Sequence, residues 1–270
     1  MIINHDFHIH TVYSNDTDKT ATVENYVGLA KEIGMKKLGI AEHFWDERIE
    51  GAFDFYKPLT FEHLLPSKEI IRACKDESVK VYFGCEVEYN PKILAPAITE
   101  EIAEQFDFIT VPHSHSHETM PTEYYQSPQK HLDFILDAYY NILDSNISKY
   151  ITSMAHPFSM VRRSPHSRKM LLGMTSDDTL KRMFDKTAQK GIAIEINTSA
   201  VMTDFSEFPT LENINESSLM RMYRIAKDCG CRFIFGSDSH SLVHLKIGLV
   251  GTVIAEALGL TEDDIANIAR

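Results

Sequence analysis

Seven short apolar runs in this chain each end on a carboxylate or a histidine. They are Phe7-His8-Ile9-His10, Gly39-Ile40-Ala41-Glu42-His43, Phe83-Gly84-Cys85-Glu86, Phe108-Ile109-Thr110-Val111 leading to His113 and His115, Met154-Ala155-His156, Ile194-Glu195-Ile196-Asn197, and Phe235-Gly236-Ser237-Asp238-Ser239-His240. Apolar runs of this length read as buried strands. A polar, ligating side chain at the same end of every strand implies that those ends meet at one site, since a carboxylate alone in an apolar interior is costly. Nitrogen and oxygen donors without paired thiolates suggest a cluster of metal ions.

Helical spacing fills the gaps between the runs. Val23, Tyr26, Val27, Ala30 and Ile33 predict a helix over 22–33, capped by Thr22 and ended by Gly34. Further helices are expected at about 60–78, 96–106, 129–146, 176–190 and 215–230, with a last short one over 261–270 begun by Thr261. Strands are expected over 37–41, 79–87, 107–111, 150–155, 192–196 and 231–236. Such alternation predicts an α/β fold, a parallel sheet with helices packed outside it. Ligands at the C-terminal ends of seven strands favour a closed barrel over an open sheet. There is no internal repeat, low-complexity tract or Gly/Pro-rich linker, so 1–270 is expected to be one domain. The longest irregular stretches, about 44–58, 112–128, 157–175 and 198–214, all follow strands and so fall at the rim of the site.

The formal net charge of -12 argues against long nucleic acid as a partner, because non-specific grip comes from clustered Lys and Arg. The four cysteines form no C-x-x-C pair and read as reduced thiols of a cytoplasmic protein. The N-terminus lacks the basic-then-apolar pattern of a secretion signal, and no apolar run approaches the roughly 20 residues that span a bilayer. No membrane association is expected.

His8-x-His10 puts two imidazoles on one face of a strand, and Asp238-x-His240 repeats the spacing at the last strand. Glu86 closes an apolar strand, where it can bridge two ions or pair with a Lys or Arg. Glu42 can accept a hydrogen bond that positions His43. Pro157 fixes the turn after His156. His113, His115 and His117 cannot all bind one ion without crowding, so at least one of them serves substrate, carries a proton or is exposed.

In order along the chain, Asp6-Phe7-His8-Ile9-His10-Thr11 with Ser14-Asn15-Asp16 resembles the first motif of the PHP (polymerase and histidinol phosphatase) superfamily. Ile40-Ala41-Glu42-His43 is similar to its second motif, and Gly84-Cys85-Glu86-Val87-Glu88-Tyr89 to its G-x-E-x-x-Y strand end. Ala155-His156-Pro157 and Gly236-Ser237-Asp238-Ser239-His240 resemble the later motifs. Glu195-Ile196-Asn197-Thr198-Ser199 is like a strand of the histidinol-phosphatase branch. The resemblance implies a distorted (β/α)7 TIM-like barrel holding two or three divalent ions, Zn, Mn or Fe. It implies one ion on His8, His10, Glu86 and Asp238, a second on Glu86, His115 and His156, and a third on Asp16, His43 and His240. Asp16 stands where several members have His, which suits a harder ion. His115 is preferred to His113 because it falls where members read T-H-x-H.

The activity this implies is hydrolysis of a small phosphate monoester by a hydroxide generated on the ions, with histidinol phosphate as first substrate and histidine biosynthesis as setting. Glu86, Asp238 and His240 are the expected catalytic residues. Arg162 and Arg163, with Arg168 beside them, lie after His156-Pro157 and suit phosphate oxygens; His117 and Asn197 complete the expected substrate contacts. His166 is a weaker rim candidate, and Phe44, Trp45 and Tyr56 can face a substrate ring or close a loop over the core. Competing readings are a phosphatase or phosphodiesterase acting on nucleotides or nucleic-acid ends, an amidohydrolase, and a metal-binding regulator without catalysis. The amidohydrolase reading lacks a bridging Lys at a strand end, and a full ligand set counts against the regulator. The oligomeric state is left open.

Overall fold

Parallel strands need long crossovers, and this chain supplies helices for them. The structure is a computed structural model that describes residues 1–159 and 166–270, with the side chains of His117 and Glu118 outside the described set. The strands are β1 (His5–Ile9), β2 (Lys37–Phe44), β3 (Lys80–Val87), β4 (Tyr89–Asn90), β5 (Ala95–Pro96), β6 (Phe108–Pro112), β7 (Ser153–Ala155), β8 (Ala193–Asn197) and β9 (Phe233–Gly236). Seven of them form one parallel sheet in the order β1-β2-β3-β6-β7-β8-β9, and β4 with β5 makes a small antiparallel hairpin. The sheet curls until its edges touch. His10 N–H donates to the Ser239 carbonyl at 2.9 Å, and Ser239 N–H donates to that of His8 at 3.0 Å. This short seam, with a register shift in the β1–β2 pairing between Asp6 and Ile9, makes a nearly closed, distorted (β/α)7 TIM-like barrel.

The helices form where apolar stripes and caps coincide. Val23–Ile33 buries Val23, Tyr26, Val27 and Ala30; the Thr22 hydroxyl accepts from Asn25 N–H, and Gly34 ends the helix at φ 83°. Pro128–Asp144 and Asp177–Lys190 are likewise capped by Ser127 and Ser176. Leu219–Asp228 precedes the last strand.

Two expected helices differ in the structure, and two helices form where none was expected. The helix expected over 96–106 is a single turn, Glu100–Ala103. The tail over 261–270 is not a helix, because Ile265 bridges to Phe233 and Ala266 N–H donates to the Phe233 carbonyl at 2.8 Å. A backbone engaged on the sheet cannot coil. Thr261 still caps, but only a short 3-10 turn, Glu262–Asp264. The helix Val250–Leu258 has no counterpart in the sequence reading; its β-branched Val250, Val253 and Ile254 favour strand locally, while burial of Val250, Ile254 and Leu258 on one side holds it helical. A helix over Arg168–Met174 also occupies part of what reads as irregular sequence.

Inside the barrel, chemistry is layered. A Cβ on Gly84 would collide with the Phe108 ring, which lies across that strand and meets Phe7 edge-on at 5.2 Å. Two residues further along β3, on the same face, stands Glu86. The apolar floor thus gives way to polar groups at the C-terminal ends. Among the described residues no helix is long and apolar enough to cross a membrane.

Candidate metal centre

Strand register brings the central groups together. The β2–β3 pairing sets His43 opposite Glu86, and the β3–β6 pairing sets Glu86 opposite Thr110. The Glu86 side chain is 2% exposed and five imidazoles surround it. Its Oε1 lies 2.9 Å from His156 Nε2, 3.5 Å from His8 Nε2 and 3.8 Å from His115 Nε2. Its Oε2 lies 3.0 Å from His43 Nδ1 and 3.8 Å from His10 Nε2.

Two further carboxylates extend the cluster towards the rim. Asp238 Oδ1 is 3.2 Å from His10 Nε2, 3.6 Å from His8 Nε2 and 3.6 Å from His240 Nδ1. Asp16 Oδ2 is 3.2 Å from His240 Nε2 and 3.5 Å from His43 Nε2. Three sets of donors each fall within 4.8 Å of one another: His8, His10 and Asp238; His8, Glu86 and His156; His10, His43 and His240. His156 at φ 25° and Asp238 at φ 54° adopt left-handed backbone that non-glycine residues rarely take, and such strain tends to gather at functional sites.

A surrounding layer aims these side chains. His8 Nδ1 is 2.8 Å from Glu195 Oε2, and the Asn197 amide donates to Glu195 Oε1 at 2.8 Å. His115 Nδ1 is 2.9 Å from Glu88 Oε2. The Ser14 hydroxyl lies 3.3 Å from His10 Nδ1, accepts from His43 N–H at 3.2 Å and donates to Glu42 at 2.7 Å. Glu42 also takes the Thr11 N–H at 3.0 Å and the Thr11 hydroxyl, so it anchors the loop after β1 and leaves His43 to face the site. His240 Nδ1–H donates to the Asp238 carbonyl at 2.9 Å. Gly236 makes room for β1, since a Cβ there would stand 2.5 Å from His8 Cβ.

The donor set fits divalent cations. Buried polar atoms normally have a hydrogen-bond partner, yet among the described residues His8 Nε2 and His10 Nε2 meet their carboxylates without a hydrogen bond, and the 3.0 Å approach of His43 Nδ1 to Glu86 Oε2 lacks hydrogen-bond geometry. The electrostatics agree. Burial opposes protonation of His8, but Glu195, Glu86 and Asp238 outweigh it and hold its pKa well above the usual value. Against the same burial, Asp16 and Glu86 push His43 to about 10, and Glu88 and Glu86 push His115 to about 9. Burial would raise Glu86 and Asp238, but the imidazoles, His8 first among them, hold both well below the usual carboxylate range. His10 goes the other way, lowered to about 3 by burial and by its neighbours His43 and His240. Carboxylates and imidazoles thus stabilise each other's charged forms across the cluster, and divalent ions would take the place of the protons these pairs share.

All nine expected ligands converge here. His113 does not: its Nδ1–H donates to the Ile135 carbonyl at 2.9 Å, its Nε2 accepts from Phe158 N–H at 3.3 Å, and burial lowers it to about 4. It packs beside Tyr139 as part of the core, while His115 takes the position beside Glu86. Asn197, expected to touch substrate, is buried, and its amide is spent on Glu195 and on Ala200 N–H at 2.7 Å. The Arg168 guanidinium is tied to Asp204 at 2.6 Å and the Ala200 carbonyl at 2.8 Å rather than presented at the rim. Arg162 and Arg163 lie outside the described residues, as does the His117 side chain. His166 sits 3.2 Å from His131 Nδ1. Phe44, Trp45 and Tyr56 are buried and close the loop over the core. Glu88 behind His115 is not singled out by the sequence pattern; its place two residues after Glu86 is the local signal for it.

A seven-stranded barrel with histidines and carboxylates gathered at the strand ends defines a metal-centred α/β class. Within it, the PHP domain family model matches residues 6–199, and the chain belongs to that family. Two solved structures are similar. Histidinol phosphate phosphatase from Lactococcus lactis, complexed with Zn, L-histidinol and phosphate, shares 18% identity over 95% of this chain and 94% of its own, with a TM-score of 0.68. A candidate histidinol phosphatase from Listeria monocytogenes shares 16% identity over 89% of this chain and 97% of its own, with a TM-score of 0.60. At these identities the likeness is one of fold. No curated protein matches the sequence.

Proposed function

We propose that the protein is a metal-dependent phosphoesterase that hydrolyses a small phosphate monoester, with histidinol phosphate the first substrate to test. The observation that carries this reading is the buried Glu86 carboxylate between five imidazoles, with the inward nitrogens of His8 and His10 unpartnered. In this assignment His8, His10, Glu86 and Asp238 hold one ion, Glu86, His115 and His156 a second, and Asp16, His43 and His240 a third. The grouping of His8 with Glu86 and His156, and of His10 with His43 and His240, supports a shared cluster in which both strand histidines lie between sites. Two or three ions from Zn, Mn and Fe suit these donors. When bound, such ions acidify a water and neutralise the charge that builds on a phosphoryl group in transfer.

The side chains divide the remaining work. Glu86 sets the spacing of the cluster from its centre. Asp238 and His240 stand at the more open edge, and the Asp238 carbonyl holds His240 so that Nε2 faces Asp16. Without an ion beside Asp16, His240 Nε2 would pass a proton to a leaving oxygen; with one bound, His240 would hold it and water would supply that proton. Arg162, Arg163 and His117 are the proposed phosphate contacts beyond the ions. Purified protein supplied with Mn or Zn should release phosphate from p-nitrophenyl phosphate and stop in chelator; no turnover with any of several divalent metals would sink the proposal. A panel of histidinol phosphate, AMP, a dinucleotide and single-stranded DNA identifies the substrate class.

A further inference from the structure

Tyr56 lies in the loop between β2 and the helix Phe61–Ala73, far in sequence from the ligand it serves. It is 3% exposed, and its hydroxyl donates to Glu88 Oε2 at 2.6 Å. That same oxygen is the partner of His115 Nδ1 at 2.9 Å. The other Glu88 oxygen accepts from Tyr89 N–H at 3.1 Å, which fixes the carboxylate in place. A carboxylate can only accept, so a neutral His115 keeps its proton on Nδ1 and turns a bare Nε2 towards Glu86, 3.8 Å away. The ring of Tyr56 also stands at 89° to that of His43, with centroids 5.9 Å apart. One side chain therefore touches the support of one cluster histidine and the ring of another. The loop is braced at its base, where Trp45 N–H donates to the Leu59 carbonyl at 3.1 Å and Asp46 accepts from Thr99 N–H at 3.1 Å.

We infer that Tyr56 is a positioning residue for metal uptake, acting through Glu88 to fix the tautomer and aim of His115. The inference rests on the reading of the cluster as a metal centre and extends it to a loop that otherwise only covers the core. Outer partners of this kind typically change metal affinity by about 10- to 100-fold when removed.

The test is binding by the metal-free protein, with no substrate present. Wild type, Tyr56→Phe, Glu88→Gln and the double variant are titrated with Zn in equilibrium dialysis, and with Co for its absorption spectrum. Circular dichroism checks the fold of each. Tyr56→Phe is expected to weaken one bound equivalent about tenfold and to shift the Co spectrum, and Glu88→Gln to weaken it about 10- to 100-fold. The double variant should bind no more weakly than Glu88→Gln, because both changes act on one path. Tyr56→Phe binding with wild-type affinity and spectrum overturns the inference, as does a double variant whose losses multiply. Should Tyr56→Phe not fold, unchanged affinity in Glu88→Gln overturns it alone. A wild type that binds ions but cleaves no phosphate ester defeats the proposed function and leaves this inference standing. A wild type that binds no ion defeats the metal-centre reading and the inference with it.

Discussion

The deep half of the cluster and its rim use the same residue types but hold them differently. At the deep end, His8 and His115 each press Nδ1 against a buried carboxylate, Glu195 and Glu88, and both side chains are almost wholly enclosed. At the rim, the Asp16 side chain is 42% exposed and His240 leans on a backbone carbonyl. Charge interactions strengthen as water is excluded, and partly exposed pairs are screened. Affinity for ions should therefore fall from the Glu86 end to the Asp16 end. The deep layer is enclosed and held by buried carboxylates, and the rim is partly exposed to solvent.

The comparison has measurable consequences, in decreasing order of size. Glu86→Gln, which removes the charge shared by the central donors, should lose at least one metal equivalent and on the order of 10³-fold in phosphatase rate. A smaller loss than that of Asp16→Asn, by elemental analysis and turnover, would reverse the proposed order. Exhaustive chelation should abolish turnover, with Mn or Zn restoring it. Graded chelation should release one equivalent before the others; simultaneous release of all would show the two ends to be equal. Glu195→Gln removes the negative charge behind His8 and should weaken metal binding about 10- to 100-fold, measured by competition with a chromophoric chelator. Asp16→Asn should cost least, about fivefold in turnover, because a half-exposed ion pair is worth no more than about 1 kcal/mol; a hundredfold loss would place the third site at the heart of the reaction.

Much of the deep end is legible in the sequence. Side chains alternate along a strand, so His8-x-His10 must share a face, and a carboxylate closing an apolar run, as Glu86 does, must meet positive charge. The choice between His113 and His115 is not legible in the same way. Both follow β6, and what separates them is that His113 finds the Ile135 carbonyl, 22 residues away, and Phe158 N–H, 45 residues away. Asn197 and Arg168 read as substrate contacts for the same reason. The partners of Arg168, Asp204 and the Ala200 carbonyl, come into view only when the loops after β7 and β8 are folded, whereas those of Asn197 are local, Glu195 two residues before it and Ala200 N–H three after, where Asn197 caps the helix Thr198–Met202. The tail over 261–270 keeps its Thr261 cap but gives up its helix to Phe233.

By itself, then, the sequence determines the alternation of strands and helices, the barrel, and the residue types at the strand ends, because these follow from periodicity and from the cost of burying charge. Only the tertiary structure decides which histidine faces Glu86, which carboxylates stand behind the histidines, and how Tyr56 reaches His115 through Glu88. Hydrogen-bond partners are drawn from segments far apart in the chain, and no local pattern records the distance between them.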